Sequence, residues 1–138
     1  MNETVKENNK QYGSDCIGNV IRILDNRTLI VNVGKSILDI NSKIHVYTIE
    51  KILHDVDGST LCPLEYIKDT LEVIQTESEY SICQKQECKH THFASLSPLF
   101  DNIEYIPLNV YEEDIEPLTP PNANIKIGDP IKRAWQNY

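Results

Sequence analysis

Gly18-Asn19-Val20-Ile21-Arg22-Ile23-Leu24-Asp25-Asn26-Arg27-Thr28-Leu29-Ile30-Val31-Asn32-Val33-Gly34 is the stretch that decides the fold. Val20 to Leu24 is a short apolar run. Asp25-Asn26-Arg27 is turn chemistry, because Asp and Asn tolerate left-handed backbone and bond their own main chain. Thr28 to Val33 is a second, β-branched run in which Leu29, Val31 and Val33 share one face by the period of two. Two such runs across a three-residue connection read as a β-hairpin. Gly34 ends the second run, at a point expected to need a positive φ.

The same pattern continues down the chain. A connection from Lys35 to Ser42 carries Ile37, Leu38 and Ile40. The strand Lys43 to Ile49 follows, with Ile44, Val46 and Thr48 facing one way and His45, Tyr47 and Ile49 the other. His54 to Ser59 is a loop closed by the turn dipeptide Asp57-Gly58. Leu61 to about Thr76 is a long extended segment. Its Ile67, Leu71 and Val73 share a parity that Asp69 interrupts, so a bend or bulge is expected there. Glu77-Ser78-Glu79 turns into the strand Tyr80 to Cys83.

Beyond Cys83 the strand pattern ends. Four of the seven prolines fall between Pro107 and Pro121, so residues 84–124 read as a long irregular excursion with brief structure at Asn102 to Val110. Order returns from Ile125 to Trp135, where Gly128-Asp129 is a tight turn feeding a last strand, Pro130 to Ala134. The frames Ile40-Asn41-Ser42-Lys43-Ile44 and Ile127-Gly128-Asp129-Pro130-Ile131 echo each other, which suggests two similar lead-ins to one sheet. Ile131, like Ile44, is therefore expected in the core.

These signals predict an all-β fold: a small closed or partly open β-barrel of about six strands, with a long irregular insertion before the last strand. Closure is preferred because it removes exposed strand edges. The 138 residues suffice for one core without disulfide or metal staples. The expected organisation is a polar flexible tail over residues 1–15 and a single domain over 16–138, with its proline-rich excursion at about 84–124.

Charge and cysteine usage narrow the function classes. A formal charge of −8 repels phosphate backbones, so nucleic acid is disfavoured as a partner. No apolar run reaches the roughly 18 residues of a membrane helix. The polar opening lacks the apolar core of an export signal. Four cysteines without such a signal read as thiols in a reducing compartment, which makes a cytoplasmic location the expectation.

Gly18-x-Val20, Asp25-Asn26 and Leu29-Ile30-Val31-Asn32-Val33-Gly34 resemble the opening of small barrels like the C-terminal domain of flagellar assembly protein T. Ile44-His45-Val46-Tyr47 is similar to the third element of such barrels. Leu64 to Lys68, followed by Leu71-Glu72-Val73, is similar to the fourth. The chain departs from the pattern at Asn41-Ser42, where the family has Gly-Asp, and at Pro63, near an expected Gly. The resemblance covers roughly Gly18 to Cys83 plus the last strand. It implies a barrel and a role in assembly or interaction, with no catalytic residues to carry over and no flagellar role as such.

The sharpest chemical constellation is Cys83, Cys88, His90 and His92, which are ligand types that zinc prefers. Their C-x4-C-x-H-x-H spacing is not that of a zinc finger, and a strand-end cysteine followed by a polar loop is the competing reading. His54, Asp55 and Asp57 lack the remaining ligands of a calcium loop and read as a solvated turn. Cys16 and Cys62 read as small buried side chains. Glu112-Glu113-Asp114 reads as a solvated charge run. No nucleophile elbow and no phosphate loop is present. Phe93, Phe100, Tyr105, Tyr111, Trp135 and Tyr138 lie outside the clean strands, where aromatics suit an interface or pin a loop.

The expected function is thus a non-catalytic binding or assembly module that engages a protein partner or a second copy of itself, without a cofactor. The alternative is a zinc-binding regulatory or nucleic-acid-binding domain built on Cys83, Cys88, His90 and His92.

Overall fold

The computed structural model describes residues 12–88, 104–119 and 122–134. Among these residues six strands form: β1 (Gly18–Ile23), β2 (Thr28–Val31), β3 (Lys43–His54), β4 (Thr60–Thr76), β5 (Ser81–Gln84) and β6 (Pro130–Arg133). They close into an antiparallel barrel in the order β1-β2-β5-β4-β3-β6. Closure depends on β6, whose Ile131 pairs with Gly18 on one side and Val46 on the other and is fully buried. The expected barrel, its strand count and the inward Ile131 are all present.

The core follows the period of two. Val20, Leu29, Val31, Val33, Ile44, Val46, Leu71, Val73, Cys83 and Ile131 cluster inside with Leu38 from the β2–β3 connection. Asp25 ties the β1–β2 turn as expected: its Oδ1 accepts from the Arg27 N–H at 2.8 Å. That bond is the main reason its carboxyl is held below the usual range.

The two echoing lead-ins adopt one design. Asn41 (φ 74°) and Gly128 (φ 96°) both take left-handed backbone at the same place in the frame. The Asn41 N–H donates to the Val73 carbonyl at 2.8 Å, and the Val73 N–H donates to the Ser42 carbonyl at 2.9 Å. The Gly128 N–H donates to the Val20 carbonyl at 2.7 Å, and the Val20 N–H donates to the Asp129 carbonyl at 2.9 Å. Each lead-in thus exchanges two bonds with a fully buried valine on the strand beside the one it starts. Asn serves where Gly-Asp was expected because its short side chain tolerates this region better than other residues.

Three expectations need correction. Gly34 is not at positive φ. A Cβ there would collide with the main chain of Ser78, so the glycine serves close approach of two backbones. Ile67 leaves the core parity, because Val46 pairs with Asp69 while Tyr47 pairs with Ile67, making Lys68 the extra residue of a bulge. The bulge was anticipated, but its effect is to turn Ile67 outward, where it is exposed. Cys62 is exposed, not buried, since it lies on β4 beyond the barrel wall.

Tyr47 keeps the face of His45, as expected, yet is fully buried. Its hydroxyl donates to the Tyr12 carbonyl at 2.6 Å. Gly13 and Cys16 are buried as well. Lys132 from β6 sits 5.2 Å from the Tyr47 ring centroid and pairs with Glu65. Residues 12–16 therefore lie against the outer wall of the barrel, while residues 1–11 of the expected tail are outside the described residues.

Contacts divide the chain into two units, Met1–Gln86 with Leu118–Tyr138, and Glu87–Pro117. In the second unit, residues 104–117 carry one 3-10 turn, Glu112–Asp114, with no buried residue. The brief structure expected at Asn102 to Val110 is not regular over residues 104–110, and its start is outside the described residues.

Candidate functional site

β3 and β4 are far longer than their neighbours. β3 meets β6 only from Ile44 to Val46, and β4 meets β5 only from Glu72 to Thr76. Past those points, among the described residues, the two strands pair with each other alone, from Thr48↔Tyr66 to His54↔Thr60. At about 3.3 Å per residue, this ribbon reaches roughly 20 Å beyond the closed sheet. Asp57-Gly58 makes its tip turn, with Gly58 at φ 88°. Asp57 Oδ1 accepts from both the hydroxyl and the N–H of Ser59, at 2.6 and 2.9 Å. Those bonds hold the pKa of its carboxyl below the usual carboxylate range, the hydroxyl bond first. Asp55 likewise accepts from the Val56 N–H at 2.7 Å. The carboxylates of the His54-Asp55-Asp57 group hold a solvated turn, as read from sequence.

The ribbon is apolar as well as long. Ile52, Leu53, Val56 and Leu61 are all exposed, as is the Cys62 thiol. Its edges are blunted: Pro63 interrupts the donors of β4, and Lys51 places a charge on β3. Thr119 touches it, through bonds of 3.4 Å from its N–H and hydroxyl to Glu50 Oε1. These features favour docking through a face over strand addition at an edge.

A second feature sits at one mouth of the barrel. A cavity of about 290 Å³ opens between the β1–β2 turn, the β4 bulge, the residues after β5 and residues 123–125. Leu29 and Leu71 of the core line it, with Ile125 packed beside them. The bulge places Lys68 in its wall with the side chain 2% exposed. The Lys68 ammonium donates to Asp129 Oδ2 and to the Asn124 carbonyl, both at 2.8 Å. Lys85 pairs with Asp69 at 3.0 Å. Arg27 donates to the Lys85 carbonyl from Nε at 3.2 Å and from Nη2 at 2.8 Å.

Of the Cys83, Cys88, His90 and His92 constellation, only the two cysteines fall among the described residues. Cys83 is a core side chain, fully buried between Leu29 and Val73 in the pairing of the sheet. Burial pushes its thiol up to about 12, which opposes the thiolate that zinc needs. Cys88 is exposed, and His90 and His92 are outside the described residues. No group of three or more His, Cys, Asp or Glu side chains among the described residues is placed to hold a metal. Of the aromatics, Tyr105 and Tyr111 are exposed in the second unit; Phe93, Phe100, Trp135 and Tyr138 are outside the described residues. Glu112-Glu113-Asp114 forms the exposed 3-10 turn. No helix among the described residues is long and apolar enough to cross a membrane.

The ribbon and the mouth cavity were both missed from sequence. Ile52-Leu53 and Leu61-Cys62, one apolar pair on each side of Asp57-Gly58, were the available signal for the ribbon. Lys68 and Asp129 are 61 residues apart, and no local pattern announces their pairing. No protein-family model matches the chain, and no curated protein matches it.

Proposed function

We propose that this protein is a non-catalytic assembly module: a closed barrel that presents the β3–β4 ribbon to another polypeptide, with a second copy of itself as the first partner to test. The observation that carries this reading is the set of exposed apolar side chains, Ile52, Leu53, Val56 and Leu61, distributed over both faces of a ribbon flanked by no third strand among the described residues. A lone two-stranded ribbon is marginal in water, and apolar side chains grouped on such an extension gain by being covered. The resemblance of the strand motifs to assembly-type barrels supports the same reading. The burial of Cys83 supports it over a zinc-dependent role.

Light scattering across a concentration series tests it. Wild type is expected to rise from monomer mass toward a multiple of it. Ile52→Asp with Leu53→Asp is expected to stay monomeric with an unchanged melting temperature.

A further inference from the structure

We propose that the mouth cavity binds a small molecule that joins an apolar body to one carboxylate. The inference goes beyond the assembly role, which uses a different part of β3 and β4. Four observations carry it. The volume of about 290 Å³ lies at the lower end of ligand pockets, and barrel mouths are common places for them. Its floor is apolar, because Leu29 and Leu71 are core residues reached from the open end. Its wall holds an ammonium that is almost wholly withdrawn from water, Lys68. An ammonium carries three hydrogens, and Lys68 places two of them, on Asp129 and Asn124. Among the described residues the third has no acceptor.

The third ammonium hydrogen is a donor and calls for an acceptor, not a cation. Arg27, Lys68 and Lys85 line the cavity against Asp25 and Asp69, within a chain whose formal charge is −8. Asp129 does not line it; it pairs with Lys68, and its Oδ2 is further occupied by the Lys126 N–H at 2.7 Å. A carboxylate entering over Leu29 and Leu71 would complete the hydrogen bonding of an ammonium whose side chain is 2% exposed, where such a bond is stronger than in solvent.

Methyl-detected NMR titration with benzoate and with benzamide tests the assignment on the whole chain. Benzoate is expected to give saturable shifts at the methyls of Leu29, Leu71 and Ile125 and none at Ile52 or Leu53. Benzamide is expected to bind about tenfold more weakly, the loss of one charge-assisted hydrogen bond. Ala123→Trp places a ring at the exposed rim and is expected to abolish the benzoate shifts while leaving the fold intact. Lys68→Met, where it folds, is expected to equalise the two probes. The absence of saturable benzoate shifts at the cavity methyls would overturn the proposal. So would equal affinity for benzoate and benzamide in wild type, or shifts that survive Ala123→Trp. Because the cavity and ribbon methyls are read separately and no variant here alters the ribbon, a negative result at the cavity leaves the assembly reading untouched.

Discussion

The base and the distal half of the β3–β4 hairpin are made of the same two strands and the same residue types, yet they differ in kind. Ile44 is 0% exposed and Ile52 is 54% exposed; Leu71 is 4% exposed and Leu61 is 46% exposed. The hydrogen-bond ladder continues through both halves, with register shifts at Val46/Tyr47, Ile49/Lys51 and Ile52/His54. What changes is lateral company. At the base, β6 and β5 flank the pair, and Ile131, Val73 and Cys83 fill the space inside. Past Val46 on β3 and ahead of Glu72 on β4 no further strand flanks the pair among the described residues, and equally apolar side chains such as Ile52 and Leu61 face water. Burial of the inward-facing side chains is therefore set by closure of the ring, which ends near the bulge.

The largest expected effect lies at the base. Ile131→Ala should cost about 2–5 kcal/mol, because it opens a cavity where β6 closes the ring. Ile52→Ala should stay within about 0.5 kcal/mol, as exposed sites do. Urea titration of the two variants checks the contrast, and equal losses would erase the distinction between base and ribbon.

The boundary itself gives a smaller effect. Removing residues 1–14 takes away the Tyr12 carbonyl that accepts from the buried Tyr47 hydroxyl. Losing that bond and part of the cover over the Tyr47 ring should cost about 1–2 kcal/mol. The deletion should therefore lower stability, and Tyr47→Phe should cost less in the deleted background than in the full chain. A deletion that leaves the melting temperature unchanged would show that residues 12–14 contribute nothing to the wall they cover.

The two lead-ins offer a finer comparison. Gly128→Ala puts a Cβ into left-handed backbone and should cost about 1–2 kcal/mol. Asn41→Gly relieves that conformation and should change stability by only a few tenths of a kcal/mol. Thermal melts of both variants would show whether the shared geometry carries a shared constraint.

The cysteines separate the two regions without altering either. Cys62 on the ribbon and Cys88 are exposed, so both should react with a thiol reagent in the folded protein. Cys16 and Cys83 are buried with thiols pushed up by desolvation, Cys83 to about 12, and should react only on unfolding. Four equally fast thiols would contradict the closed core.

Much of the barrel was legible in the sequence because its signals are local. Alternation placed Leu29, Val31 and Val33 inward, Asp25-Asn26-Arg27 and Asp57-Gly58 marked turns, and the shared frame of Asn41 and Gly128 pointed to two matching lead-ins. What escaped was non-local. The length of the ribbon depends on where β5 and β6 stop, which no residue of β3 or β4 encodes. Tyr47 is buried on an outer face only because residues 12–16 return to cover it. Gly34 looked like a conformational glycine, while its real constraint is the backbone of Ser78, 44 positions later. The mouth cavity arises from a bulge whose existence was anticipated but whose extra residue, Lys68, could be identified only from the register.

The account's central claim is that the distal ribbon serves contact between polypeptides while the barrel supplies stability. Light scattering of wild type beside Ile52→Asp with Leu53→Asp, from micromolar to millimolar concentration and with melting temperatures measured on the same samples, tests it most directly. The account predicts a wild-type mass that climbs with concentration, a variant that remains monomeric, and coincident melts in the dilute limit. A wild type that stays monomeric throughout, or a variant that associates as strongly as wild type, would contradict it.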